Sequence, residues 1–200
     1  VKNGLILLVC VLVASCANTQ ITQNWVDEEH DSNLKRPLII GISDSQQTRR
    51  IFENHLVSEL KKLDVSAVPS YTIISSKQKM NRETVVNAIK DTDIDSVLVT
   101  YLVSADTEMK YRESPLNSGY SGNVNDNQVS ATIITNPGRY NSEETITLKT
   151  DLYDAVTKEM VWSTQTKSAG VESIDEVVID VTALIIEQLE SDDVFQVTGN

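Results

Sequence analysis

DSVLVTYLV, residues 95–103, decides the fold. Apolar side chains fall on both faces of this run, the pattern of a central strand covered on both sides. Working toward the amino terminus, PLIIGI (37–42) is a second short apolar run, and Pro37 stands at its start, where a missing N–H is tolerated. Between the two lies DSQQTRRIFENHLVSELKKL (44–63), which reads as a helix. Asp44 is the expected N-cap, with Gln47 three residues on as in a capping box. Phe52, Leu56, Leu60 and Leu63 share one face, and Lys61 and Lys62 suit the negative end of the helix dipole. Residues 65–74 are expected to form a strand, and Asn81 to cap a second helix carrying Val85, Val86 and Ile89. The order β-α-β-α-β with right-handed crossovers gives a parallel core.

Toward the carboxyl terminus the pattern changes to alternation. Ala105, Thr107, Met109 and Tyr111 fall on one side and Asp106, Glu108, Lys110 and Arg112 on the other, so a long strand is expected to project beyond the sheet. Residues 128–135, 143–154 and 159–168 alternate likewise, the last two joined through DAVTKE (154–159). Ser173 and Glu176 form a capping box for an amphipathic helix with Ile174, Val177, Val178, Val181, Leu184, Ile185 and Leu189. The expected fold class is α/β (α+β): a mixed sheet from a βαβαβ unit, then antiparallel strands and a closing C-terminal helix, with helices on one face. One domain is expected over 37–192, with an extended loop at 104–142 and a tail at 193–200. About 155 residues suffice for a single core.

The chain opens differently. Lys2 and Asn3 precede an almost wholly apolar run from Leu5 to Ala14, and small residues stand before Cys16. This is the order of a secretory signal, residues 1–15, and the run is too short to span a bilayer, which takes ~20 apolar residues. Val13-Ala14-Ser15-Cys16 resembles the lipobox of bacterial lipoproteins. The resemblance implies a lipidated Cys16. Ala17, in place of an inner-membrane retention Asp, implies an outer-membrane anchor facing the periplasm. A thiol is the best nucleophile for lipid transfer, and two or three acyl chains anchor stably where one does not. Cys10 would leave with the signal, so no disulfide is expected. Residues 16–36 read as the lipidated cysteine and a flexible polar tether, interrupted by Trp25 and Val26. Removing Lys2 leaves 16 basic and 29 acidic residues, a balance of −13 that repels nucleic acid.

A tether, a βαβαβ unit, ITLKTDLYDAVTKEMVW (146–162) and a closing helix together resemble a group of envelope proteins with a common α/β domain. It includes the amino-terminal domain of the Tol-system propeller protein, the lipoprotein activators of penicillin-binding proteins, and the curli secretion lipoprotein. Asp154, Thr157, Val161 and Trp162 match the strand-turn-strand pattern of that group. The resemblance covers roughly residues 37–190 and implies fold more than function.

Convergent reactive groups are scarce. His30 lies in the expected tether and His55 beside Leu56, and neither has a metal-ligand partner at helical spacing. No GxSxG elbow is present. Gly41 stands alone after the first strand, and Asp44 puts a carboxylate where a phosphate would sit, against nucleotide binding. DTDID (91–95) and NVNDN (123–127) lack the glycine and glutamate of a calcium loop. No catalytic residue, metal or cofactor is expected. Residues 104–142 hold Tyr111, Tyr120 and Tyr140 among Gly, Ser and Asn, a composition suited to adaptable binding surfaces. With Arg112 they form the expected partner-binding set. The expected function is that of a non-enzymatic outer-membrane accessory lipoprotein that binds a protein partner in envelope assembly, secretion or cell-wall synthesis. A subunit of an oligomeric secretion pore is the alternative, and an envelope hydrolase comes third.

Overall fold

The computed structural model describes residues 19–30, 34–112, 122–125, 128–131, 139–171 and 173–195. Among the described residues eight strands and three α-helices follow in the order β1 (Thr19–Val26), β2 (Pro37–Gly41), α1 (Gln46–Lys62), β3 (Val68–Pro69), α2 (Arg82–Ile89), β4 (Ser96–Arg112), β5 (Gly122–Asn125), β6 (Gln128–Ala131), β7 (Arg139–Asp154), β8 (Met160–Ala169) and α3 (Ile174–Ser191). Six strands form one mixed sheet in the order β1-β8-β7-β4-β2-β3, and β5 and β6 pair separately. The expected mixed α/β architecture with a closing helix is the one observed. β2 runs parallel to β3 and β4, and β4, β7, β8 and β1 pair antiparallel.

β2 is buried along its whole length and divides the core. Ile39 and Leu98 face α1 and α3, packing with Leu56, Leu60, Val181 and Ile185. Leu38, Ile40 and Val97 point the other way, toward Ile74, Val85 and Ile89. α2 therefore lies on the face opposite α1 and α3, where the sequence led us to expect helices on one face only. A strand apolar on both sides needs cover on both. Gly41 is fixed by close approach: a Cβ there would stand 3.0 Å from Cδ1 of Phe52.

Local signals are observed with shifts. Ser45, not Asp44, caps α1, accepting from the Thr48 N–H at 3.2 Å. Asn81 and Ser173 cap α2 and α3 as expected. Residues 65–74 give only a two-residue strand before Ser70–Thr72 turn into a 3-10 helix. Pro69 lacks the N–H that would continue a ladder. On α3 the buried residues are Val177, Val178, Val181, Thr182, Ile185 and Leu189, while Leu184 is half-buried and Ile174 exposed.

Two segments expected outside the domain belong to it. Residues 19–26, read as tether, are the edge strand β1 on β8. Polar side chains tie them down: Thr19 Oγ1 donates to Asp180 Oδ2 at 3.2 Å, and Asn24 Nδ2 donates to Asp192 Oδ2 at 2.9 Å. The expected tail begins in the core, with Val194 and Phe195 buried against Leu34.

The projecting strand is also present. β4 and β7 continue as a two-stranded ribbon beyond the last β8 partner, Thr145–Ala169, through six register pairs from Thr107–Glu144 to Arg112–Arg139. A register shift between Leu102 and Ser104 marks a bulge in β4 while β7 is still paired with β8, before the ribbon begins. The remainder of the expected loop, Tyr120 included, lies outside the described residues or in β5 and β6.

Candidate functional site

α2 spans eight residues, none of them fully buried, so it covers only part of its sheet face. Between it and the β7–β8 turn runs a groove of about 380 Å³. Ile40, Val97 and Val99 form the floor, Val85 and Ile89 one wall, and Tyr101 and Tyr153 the other. Its size falls in the range of small-molecule and peptide-side-chain sites. Ile42 stands at its mouth, 44% exposed. Arg82 and Lys158 lie on the rim and form no ion pair with a described residue.

The turn that places Lys158 is built by Asp154, whose Oδ1 accepts the N–H groups of Val156 and Thr157, both at 2.7 Å. Lys158 adopts φ 63° and donates its N–H to the Asp154 carbonyl. Trp162 is fully buried, and its Nε1 donates to Asp192 Oδ2 at 2.7 Å. Asp154, Thr157 and Trp162 of the resemblance thus act in the turn and the core.

Register assembles a polar network beside the groove. Ile40, Val99, Asp151, Ser163 and Trp25 form one transverse row, and Tyr101 and Lys149 are partners in the same-facing row two residues along. Asp151 is buried; its Oδ1 accepts from Ser163 Oγ at 2.6 Å and lies 3.2 Å from Lys149 Nζ. Its Oδ2 accepts from Tyr101 at 3.0 Å and from Tyr153 at 3.5 Å. Burial first, and then the hydrogen bond and charge of Asp151, raise the Tyr101 pKa above its ordinary value. Burial and the Asp151 charge raise Tyr153 in the same direction. For Lys149, burial pulls the ammonium down, but the hydrogen bond and attraction of Asp151 outweigh it and the net shift is upward. Near neutral pH both phenols therefore stay protonated and the ammonium stays charged. A nucleophile or general base needs the opposite shift.

The carboxyl end of the parallel strands, the usual ligand crevice of an open α/β sheet, is filled by the protein itself. Glu53, 0% exposed, accepts from Arg49 Nε at 2.8 Å, Ser70 Oγ at 2.5 Å and Gly41 N at 3.1 Å through Oε1, and from Tyr71 N at 3.1 Å through Oε2. Arg49 also donates to Ser70 Oγ at 2.6 Å. Every oxygen is committed to structure.

The residues singled out in the sequence are dispersed. Cys16 and Tyr120 lie outside the described residues. Tyr111 and Tyr140 are brought together as register partners on the ribbon, and Arg112 pairs with Arg139. His30 Nε2 stands 3.8 Å from Asp154 Oδ2, while His55 is half-buried on α1. Among the described residues no three His, Cys, Asp or Glu side chains are grouped to hold a metal. Asp95 of DTDID accepts the N–H groups of Lys35 and Arg36, and so fixes the entry to β2. The groove was missed because its residues were read as core. The available signal was the excess of apolar positions on Ile40, Val97 and Val99 over what an eight-residue helix can cover.

The fold and groove define a mixed α/β domain with a half-covered sheet and a projecting ribbon. Solved structures with a similar course of chain include a PelC dodecamer from Paraburkholderia phytofirmans, at 11% identity and a TM-score of 0.45, covering 86% of this chain and 94% of that one. They also include the lipoprotein GNA1162 from Neisseria meningitidis, at 10% identity and a TM-score of 0.42, covering 78% and 99%. A PDZ domain protein from Parabacteroides distasonis follows at 12% identity and a TM-score of 0.38, covering 86% and 37%. No protein-family model and no curated protein sequence matches the chain.

Proposed function

We propose that this chain is a lipid-anchored accessory protein of the outer membrane, facing the periplasm, and that it binds an envelope protein without chemistry of its own. The lipobox-like Val13-Ala14-Ser15-Cys16 supports the anchor. The observation that carries the binding role is the half-covered sheet face. Its groove offers apolar walls and two rim cations, Arg82 and Lys158, that lack ion-pair partners among the described residues. In a chain with 29 acidic and 17 basic residues such cations mark a place for an acidic partner. The occupant is an extended segment of a protein partner carrying apolar side chains and a carboxylate. Envelope assembly, secretion and cell-wall synthesis are the settings such a module serves.

Beside the groove, the raised pKa values of Tyr101, Tyr153 and Lys149 disfavour those three groups as nucleophile or general base, which supports binding over catalysis. A secretion-pore subunit is less well supported. A membrane-spanning strand needs ~9–11 residues with one apolar face, and the ribbon places Glu144 and Ser142 opposite Thr107 and Met109.

The test is site-specific photocrosslinking in intact cells. A crosslinker at Ile42 should give a discrete protein adduct that R82E with K158E abolishes. One at Ile179, exposed on α3, should not give that adduct. The same adduct from both sites, or one indifferent to the charge reversal, would refute the groove as the binding site.

A further inference from the structure

The two edges of the six-stranded sheet are built differently. β3 pairs with β2 only through Leu38–Val68 and Ile39–Pro69. Pro69 offers no N–H, and the chain turns into a 3-10 helix at Ser70. Such an edge gives an incoming strand little to pair with. β1, at the other edge, is eight residues long, and TQITQNWV holds neither a proline nor a charged side chain. Its one irregularity is the register shift between Ile21 and Gln23. Short length, proline and charge are the usual guards of an exposed edge. β1 has none of the three, in a chain whose residues are 23% charged. Among the described residues no strand pairs with its outer side, which presents a row of backbone donors and acceptors.

The two faces of β1 offer different chemistry. On one face Val26 packs against the core, Thr19 donates to Asp180 and Asn24 donates to Asp192. α3, which lies on that face, carries Asp175, Glu176, Asp180, Glu187 and Glu190 and no lysine or arginine. A strand laid beside β1 has its side chains on this face in a negative field, which favours cations. Trp25 points to the opposite face by the alternation of a strand, and it is 46% exposed. A tryptophan so placed suits an apolar side chain of the incoming strand. A second copy of this chain is a poor occupant. Antiparallel pairing of β1 with itself sets two α3 helices side by side on one face of the continued sheet, with five carboxylates each.

We propose that the outer edge of β1 takes an extended segment of a protein partner as a further strand, with lysine or arginine at alternate positions facing α3 and an apolar residue between them against Trp25. Main-chain hydrogen bonds supply the affinity and the alternating side chains the specificity. The site is separate from the groove at α2 and does not depend on it.

The probe is a synthetic peptide as long as β1 that alternates lysine with valine. One control carries glutamate in place of lysine, and another has the same residues with the lysines grouped at one end. Each is added to the full-length chain, and backbone amide exchange is followed by mass spectrometry beside tryptophan emission. Trp162 is fully buried, so a change in emission reports Trp25. The alternating peptide should slow exchange within residues 19–26 and shift the emission to the blue, and neither control should. W25A should weaken the protection about tenfold or more in peptide concentration. E187K with E190K, both exposed, should weaken it and flatten its salt dependence, whereas R82E with K158E at the groove should leave it unchanged. Equal protection by either control, protection at the groove in place of β1, or no protection at millimolar peptide overturns the proposal. So does protection of residues 19–26 that rises with protein concentration when no peptide is present, with a dimer in sedimentation, which gives the edge to a second copy.

Discussion

Replacing Glu53 with methionine leaves Arg49 charged and buried without its carboxylate, and strips the acceptor from Ser70 Oγ and from the N–H groups of Gly41 and Tyr71. Breaking a buried pair in this way costs about 3–5 kcal/mol. At about 2–4 °C per kcal/mol for a domain of this size, E53M should lower Tm by about 6–20 °C. R49M leaves the mirror-image defect, a buried carboxylate without its cation. In the double variant neither charge remains, though Gly41 N, Tyr71 N and Ser70 still lack their acceptor. The double loss should therefore fall short of the summed single losses by about 0.5–3 kcal/mol, the range for residues in contact. Urea titrations of the four proteins, followed by circular dichroism, measure that coupling. Strictly additive losses would show that Arg49 and Glu53 do not act as a pair, and the reasoning about this cluster would fail.

Other outcomes follow from the same geometry. G41A places a Cβ 3.0 Å from the Phe52 ring and should cost about 1–3 kcal/mol by overpacking; F52L in the same chain should recover part of it, and denaturant midpoints decide. D154A removes the acceptor of two turn N–H groups and should cost about 1 kcal/mol, read from the same curves, with no change if the turn holds without it. Tyr101, Tyr153 and Lys149 all have raised folded pKa values. Their contribution is thus complete below the unfolded values near 10 and is lost as pH rises through the folded ones. Absorbance at 295 nm should show a late phenol ionisation from Tyr101 and Tyr153 that D151N brings earlier; a titration that D151N leaves unchanged would contradict the network.

Much of the fold is legible in the sequence because burial imposes a period. The α3 stripe is helical in spacing, β2 and the first half of β4 are apolar on both faces, and Asn81 and Ser173 sit where orphan N–H groups need them. β1 was not legible, because TQITQN has no apolar face. It is held by ladder bonds and by Thr19 and Asn24 reaching Asp180 and Asp192, partners more than 150 residues away. The strand expected at 65–74 failed because apolar alternation there competes with Pro69, and the ladder ends at that residue. Neither the groove nor the Asp151 network carries a local pattern. Each arises where strands distant in sequence come into register, so Tyr101, Asp151 and Ser163 look like ordinary strand residues until paired.

Intact mass of the chain purified from its own membranes, beside C16S, tests the anchored-module account most directly. The account predicts a wild-type chain beginning at Cys16 with the added mass of two or three acyl chains, and a C16S chain that carries none and is either left uncleaved or found in the soluble fraction. A wild-type chain with an unmodified Cys16, or one beginning elsewhere, would contradict it.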